Sequence, residues 1–209
     1  MVTNNAPWQP SLLGLSPIAI DPSFRGAERL ELGDGAWIDH LPGWCQGHSR
    51  LFETLRRTTR WKTSRRQMYD SVVDVPRLMA SLPECGPGHR VLDEMAAALS
   101  GRYGVSFNRV GMNLYRDGAD SVAWHGDYVL RDQEEDSFVA TVSVGERRKF
   151  LLRPKHSNGP RRSLALSLGW GDLVVMGGSI QRTWEHAVPK VAHAGPRIAI
   201  MFRCGDYPG

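Results

Sequence analysis

The sequence predicts a mainly β protein with flanking helices, an α+β fold whose core is a double-sheet jelly roll. Two observations predict it. Beyond residue 105, short runs of alternating or β-branched apolar residues recur at regular spacing with turn residues between them. Before that point, two stretches carry apolar residues at helical spacing. At 209 residues the chain accommodates one domain with a sizeable core and an appended lobe.

Residues 1 to 25, with Pro7, Pro10, Pro17 and Pro22, read as an irregular arm that docks through Leu12, Leu13, Leu15, Ile18 and Ile20. Strand-like pieces over Glu28 to Leu41 are broken by the turn Gly33-Asp34-Gly35. Ser49 to Arg57 reads as a helix with Leu51, Phe52 and Leu55 on one side, and 58 to 76 returns to short extended pieces. Val91, Leu92, Met95, Ala96 and Leu99 predict a second helix over Gly88 to Ser100, stopped by Gly101. Strands follow at Gly111 to Tyr115, Val122 to Asp127, Phe138 to Val144, Lys149 to Arg153, Leu164 to Leu168, Leu173 to Met176, Trp184 to Val188 and Arg197 to Arg203.

A formal charge of +4 and a pI near 9.2 favour a polyanionic partner. The cations cluster. Arg56, Arg57, Arg60, Lys62, Arg65 and Arg66 surround Trp61 and precede Tyr69, and Arg147, Arg148, Lys149, Arg153, Lys155, Arg161 and Arg162 form a second group. Both are expected to contact phosphates. Cys45, Cys85 and Cys204 are widely spaced, which fits neither a disulfide framework nor a structural zinc site and suits a reducing compartment. The first twenty residues lack a leader pattern and no run approaches a membrane span, so a cytoplasmic protein with no membrane partner is expected.

The chemistry starts at Trp124-His125-Gly126-Asp127. Side chains at i and i+2 of a strand share a face, so His125 and Asp127 can close on one ion. His186, in a second strand-like run, supplies another nitrogen. Two His and one carboxylate leave coordination positions open, the ligand set of non-haem Fe(II) oxygenases. In the last strand the same alternation sends Arg197, Ala199, Met201 and Arg203 to one face and Ile198, Ile200 and Phe202 to the other. Two guanidinium groups on one face need anionic partners, and a dicarboxylate satisfies both. Asn113 and Tyr115 share a face of another strand. His40, His48, His89, His156 and His193 read as ordinary surface or loop histidines.

The stretches Asn113-Leu114-Tyr115-Arg116-Asp117-Gly118, Trp124-His125-Gly126-Asp127, Trp184-Glu185-His186 and Arg197 to Arg203 resemble, in consistent order, the AlkB family of Fe(II)- and 2-oxoglutarate-dependent dioxygenases. Val142-Ser143-Val144-Gly145 and Arg148-Lys149-Phe150 extend the likeness, which is nearest to the nucleic-acid-repair members. The resemblance implies a double-stranded β-helix with an N-terminal nucleotide-recognition lid. Residues 1–104 would carry the arm, helices and lid, and 105–209 the jelly-roll catalytic core of one continuous dioxygenase domain. It implies that His125, Asp127 and His186 ligate iron as the catalytic centre. Arg197 and Tyr115 would hold the distal carboxylate of 2-oxoglutarate, with Asn113 and Arg203 near its metal-bound end, and O2 as co-reactant. Tyr69 and Trp61, with Arg65 and Arg66, would hold a flipped base over the ring of His125.

The implied reaction is oxidative N-demethylation of lesions such as 1-methyladenine and 3-methylcytosine in DNA or RNA, carried out by a monomer. Two alternatives stand: the same oxygenase chemistry on a modified RNA or a protein, and a non-catalytic nucleic-acid binder. The chain departs from the family at Ala199, where Arg-X-Asn is usual, and at Val129, where many repair members place an acidic residue.

Overall fold

The computed structural model of the protein describes residues 16–68, 71–82, 90–127, 136–156 and 163–204, and of residues 65–68 and 71–74 the backbone alone. The first half contributes β1 (Ala19–Ile20), β2 (Glu28–Gly33), β3 (Ala36–Leu41), β4 (Cys45–Gln46), α1 (His48–Thr58), β5 (Lys62–Met68), β6 (Ser71–Ser81) and α2 (Arg90–Tyr103). The second half contributes β7 (Phe107–Tyr115), β8 (Val122–His125), β9 (Val139–Gly145), β10 (Arg148–Pro154), β11 (Leu164–Leu168) and β12 (Asp172–Gly178). The short helix α3 (Ile180–Thr183), β13 (Trp184–Val188) and β14 (Arg197–Cys204) complete it.

These strands form an eight-stranded sheet in the order β2-β3-β12-β9-β14-β7-β6-β5, a four-stranded sheet β11-β10-β13-β8, and the small pair β1-β4. Strands from both halves of the chain share the large sheet. The turn between β2 and β3 falls at Gly33-Asp34-Gly35, whose φ values of 90°, 53° and 75° lie in the left-handed region that Gly and Asp tolerate.

Alternation lets one sheet serve two cores. On β14, Ile198, Ile200 and Phe202 join Leu51, Phe52 and Leu55 of α1 and Leu92, Met95 and Leu99 of α2 in one buried cluster. Ala199 turns the other way, into a cluster with Phe150 and Leu152 of β10 and Val188 of β13. On β12, Leu173 and Val175 go to the first cluster, Val174 and Met176 to the second. The large sheet is thus covered by helices on one face and by the small sheet on the other, a mainly β fold with flanking helices.

Helix α1 forms where expected because its apolar stripe fits the sheet. Leu51, Phe52 and Leu55 are fully buried, and each such side chain stabilises by roughly 1.5–3 kcal/mol. Arg56 and Arg57 in the last turn complement the helix dipole, and the Thr59 N–H closes the end on the Leu55 carbonyl. Ile18 and Ile20 of the N-terminal arm pack against this cluster, while Leu12, Leu13 and Leu15 lie outside the described residues. Among the described residues no helix is long and apolar enough to cross a membrane.

Candidate metal and co-substrate site

Strands β8 and β13 run antiparallel with His125 opposite His186, so the two rings stand 4.2 Å apart between centroids. Strand β8 ends at His125 and not, as the alternation suggested, at Asp127. The reason is local. The Asp127 N–H donates to the Gln181 Oε1 at 2.9 Å, and Gly126 packs so closely that a Cβ there would stand 2.7 Å from the Gln181 carbonyl oxygen. The ligand-type atoms of His125, Asp127 and His186 nevertheless all lie within 4.8 Å of one another.

The electrostatics suit a divalent cation. The His125 Nδ1 lies 2.9 Å from the Ala123 carbonyl oxygen, which can only accept, so that nitrogen donates and Nε2 is the ring nitrogen left to face a metal. Burial opposes ionisation of Asp127. The Arg203 Nε at 2.7 Å and the two imidazoles outweigh it and hold the carboxyl below the ordinary carboxylate range. Burial, aided by His125, pushes the His186 imidazole down to about 3. The His186 imidazole and the Asp127 carboxylate are thus held in the forms that metal binding requires, neutral and ionised.

These residues line a cavity of about 370 Å³ shared by both sheets. At its wall Arg197 is 1% exposed, donates through Nη2 to the Ser143 Oγ at 2.7 Å, and lies 5.3 Å from the Tyr115 ring centroid. Its Nε and Nη1 have no hydrogen-bond partner among the described residues. Burial lowers its pKa from the ordinary arginine value, with Tyr115 opposing the shift. A buried cation with two open donor nitrogens fits an anion such as a carboxylate.

Ala199 lies between Asn113 on β7 and Ser143 on β9 in the strand register, so the asparagine absent at 199 is flanked by an amide and a hydroxyl. Asn113 donates through Nδ2 to the Met201 Sδ at 3.6 Å, its Oδ1 has no described partner, and Arg203 reaches the same sulfur at 3.7 Å. The structure thus brings together all seven residues expected at the metal and co-substrate.

Sequence reasoning assigned no role to Ser143 or Gln181. Ser143 was visible in the alternation, since Thr141 and Ser143 interrupt the apolar Ala140, Val142 and Val144, whereas Gln181 carries no periodic signal.

The nucleotide-facing expectations fare differently. Tyr69 and Val129 lie outside the described residues, as do the side chains of Arg65 and Arg66, whose backbone is in β5. Trp61 packs against the helix-side cluster, donates its indole N–H to the Arg56 carbonyl at 3.2 Å, and is not part of the cavity wall. Arg77 and Met79 of β6 are.

Of the second basic group, Arg148 is buried on the carbonyls of Asp117, Asp120 and Pro189, and Arg147 lies beside Asp172 and over Trp170. Arg153 is paired with Glu185 over Trp124, and Lys155 donates to the Gln181 carbonyl. These cations serve the fold before any phosphate. His48, expected at the surface, is buried at the start of α1, and His40 is half-buried in β3.

The family model of the 2OG-Fe(II) oxygenase superfamily matches residues 40–203. The alpha-ketoglutarate-dependent dioxygenase alkB homolog 3 of Bos taurus is 34% identical over 177 residues, covering 73% of this chain and 60% of its own length. The DNA oxidative demethylase ALKBH2 of Homo sapiens is 30% identical over 175 residues, covering 73% of this chain and 67% of its own. The chain therefore spans about three fifths to two thirds of these relatives. The solved structure of OsALKBH1 shares the fold with a TM-score of 0.56 at 14% identity, covering 85% of this chain and all of that one. With the His/Asp/His cluster and the match across both sheets, the chain belongs to the AlkB-type 2-oxoglutarate- and Fe(II)-dependent oxygenases.

Proposed function

We propose that this chain is a dioxygenase that uses Fe(II), 2-oxoglutarate and O2 to remove N-methyl groups oxidatively from nucleic-acid bases of the 1-methyladenine and 3-methylcytosine type. The products are formaldehyde, succinate, CO2 and the restored base. The observation that carries the reading is the meeting, in one cavity, of a His/carboxylate/His trio with a buried guanidinium that has two open donors.

His125, Asp127 and His186 would hold the iron. Bound there with 2-oxoglutarate, the metal supplies activation of O2 coupled to decarboxylation of the co-substrate. Arg197 offers its open N–H groups to the distal carboxylate, and Ser143 and Tyr115 fix the orientation of that guanidinium. Arg203 keeps Asp127 ionised and aimed, and Asn113 lies on the same cavity wall. The apolar side chains of Val122, Phe150, Met176 and Val188 exclude water from the cavity.

The reading extends to architecture and partner. Strands β7 to β14, within 105–209, close as a double-stranded β-helix, and 1–104 carries the arm, helices and lid and extends the large sheet with β2, β3, β5 and β6. The lid residues are Arg65, Arg66 and Tyr69, with Trp61, and their role would be to hold a base flipped from DNA or RNA. What supports the lid is that β6 already contributes Arg77 and Met79 to the cavity wall, and that Arg57, Arg60 and Lys62 nearby are exposed. The protein acts as a monomer in the cytoplasm.

The test is incubation with Fe(II), 2-oxoglutarate and air of single-stranded DNA and RNA oligonucleotides carrying 3-methylcytosine, beside an N-methylated peptide. Demethylation of an oligonucleotide with matching formaldehyde is expected. Turnover of the peptide alone, or succinate without demethylation, would reject the substrate class while keeping the oxygenase.

A further inference from the structure

We infer that Gln181 is the positioning residue for the carboxylate ligand of the metal site, an inference that rests on the metal role proposed for His125, Asp127 and His186. Gln181 lies on α3 and is 1% exposed. Each of its polar groups is engaged at the site. Its Oε1 accepts the Asp127 N–H at 2.9 Å, although the two are 54 residues apart in sequence. Its main-chain oxygen accepts Lys155 Nζ at 2.6 Å. Its Nε2 points at the sulfur of Met176, a cavity-wall residue, at 3.8 Å.

The need for such a residue follows from the strand ends. His125 and His186 are fixed by the ladder between β8 and β13, where they are register partners. Asp127 lies past the end of β8, so no ladder bond fixes its backbone. Gln181 supplies the missing acceptor, and it does so from the helical turn that leads directly into β13 and His186. One side chain therefore sets the distance between the segment bearing the carboxylate and the segment bearing the second imidazole. Gly126 completes the arrangement, since a Cβ there would stand 2.7 Å from the Gln181 carbonyl oxygen and 3.3 Å from Lys155 Nζ.

The amide suits the task chemically. It accepts a hydrogen bond without adding a second negative charge beside Asp127, and its oxygen is committed to an N–H and so does not compete for the cation. Arg203 aims the carboxylate from one side, and Gln181 holds its main chain from the other.

The experiment is titration of the metal-free full chain with Co(II) alone, read by calorimetry and by the ligand-field absorption of the bound ion. The proteins are the unaltered chain, Gln181→Met, which replaces the amide by a weakly accepting thioether, and Gln181→Asn, whose amide is one methylene short. Both variants are expected to bind Co(II) roughly 10- to 100-fold more weakly, the range for groups that orient metal ligands. Their absorption should change while the thermal midpoint of the metal-free protein stays close to that of the unaltered chain. Unchanged Co(II) affinity in the folded variants, or a lowered midpoint with unchanged affinity, would overturn the inference and make Gln181 a packing residue of α3. If Gln181→Met fails to fold, Gln181→Asn decides by the same criteria. Failure of the unaltered chain to bind Co(II) would instead overturn the metal assignment on which the inference stands.

Discussion

Replacing Arg197 by Met separates function from stability in a way that follows from its donors. A guanidinium has five N–H donors, and here Nη2 is committed to Ser143 while Nε and Nη1 have no described partner. In the chain without co-substrate, those two nitrogens and the charge are buried at a cost, because Arg197 is 1% exposed. With the co-substrate bound, the distal carboxylate would neutralise the charge and accept from one of them. Truncating one partner of a buried charge pair costs about 2–5 kcal/mol, so 2-oxoglutarate should bind roughly 30- to 4,000-fold more weakly to Arg197→Met.

The stability change should have the opposite sign or be near zero. Met fills similar volume without charge, and the loss at Ser143 is one hydroxyl contact worth about 1 kcal/mol. The assays are anaerobic calorimetry of 2-oxoglutarate with Mn(II)-loaded protein and thermal unfolding of the metal-free chain. An unchanged 2-oxoglutarate affinity would refute the assignment. A large drop in the unfolding midpoint would show that Arg197 is held for the fold, not for a ligand.

Three further outcomes are expected. Phe52→Ala should cost about 3–5 kcal/mol in a urea unfolding series, since the ring is fully buried between α1 and the large sheet, and a cost under 1 kcal/mol would contradict that packing. Burial lowers the pKa of His40 and of His48, with Asp172 opposing in both cases. The unfolded chain therefore takes up protons below about pH 6.5 that the folded chain resists, and stability should fall as pH drops through that value; stability constant between pH 7.5 and 5.5 would refute this. Gly126→Ala should weaken Co(II) binding roughly tenfold, because the added methyl meets main-chain oxygen and not a flexible side chain. Equal binding would show that the loop can shift without disturbing Asp127.

Much of the site was legible because β14 obeys a strict period. Ile198, Ile200 and Phe202 go to the helices and Arg197 to the cavity, as alternation requires, and helices α1 and α2 declared themselves through Leu51, Leu55, Leu92 and Leu99. Asp127 was legible as a partner of His125, but not for the reason alternation gives, since it lies beyond the strand and is held by a contact 54 residues distant. Such a tie leaves no periodic trace. The same holds for α3, a four-residue turn too short to show helical spacing. The basic run from Arg147 to Lys155 looks uniform because composition counts charges without their partners: Arg148 is buried on three carbonyls and Arg153 is paired with Glu185. Trp61 reads as a base-stacking ring by its basic neighbours, yet its indole spends its N–H on the last turn of α1.

The most direct test of the account is an anaerobic crystal structure with Mn(II) and 2-oxoglutarate. The metal is expected on His125, Asp127 and His186, with the distal carboxylate accepting from the Arg197 guanidinium. A metal bound elsewhere, or a co-substrate whose distal carboxylate does not contact that guanidinium, would contradict it.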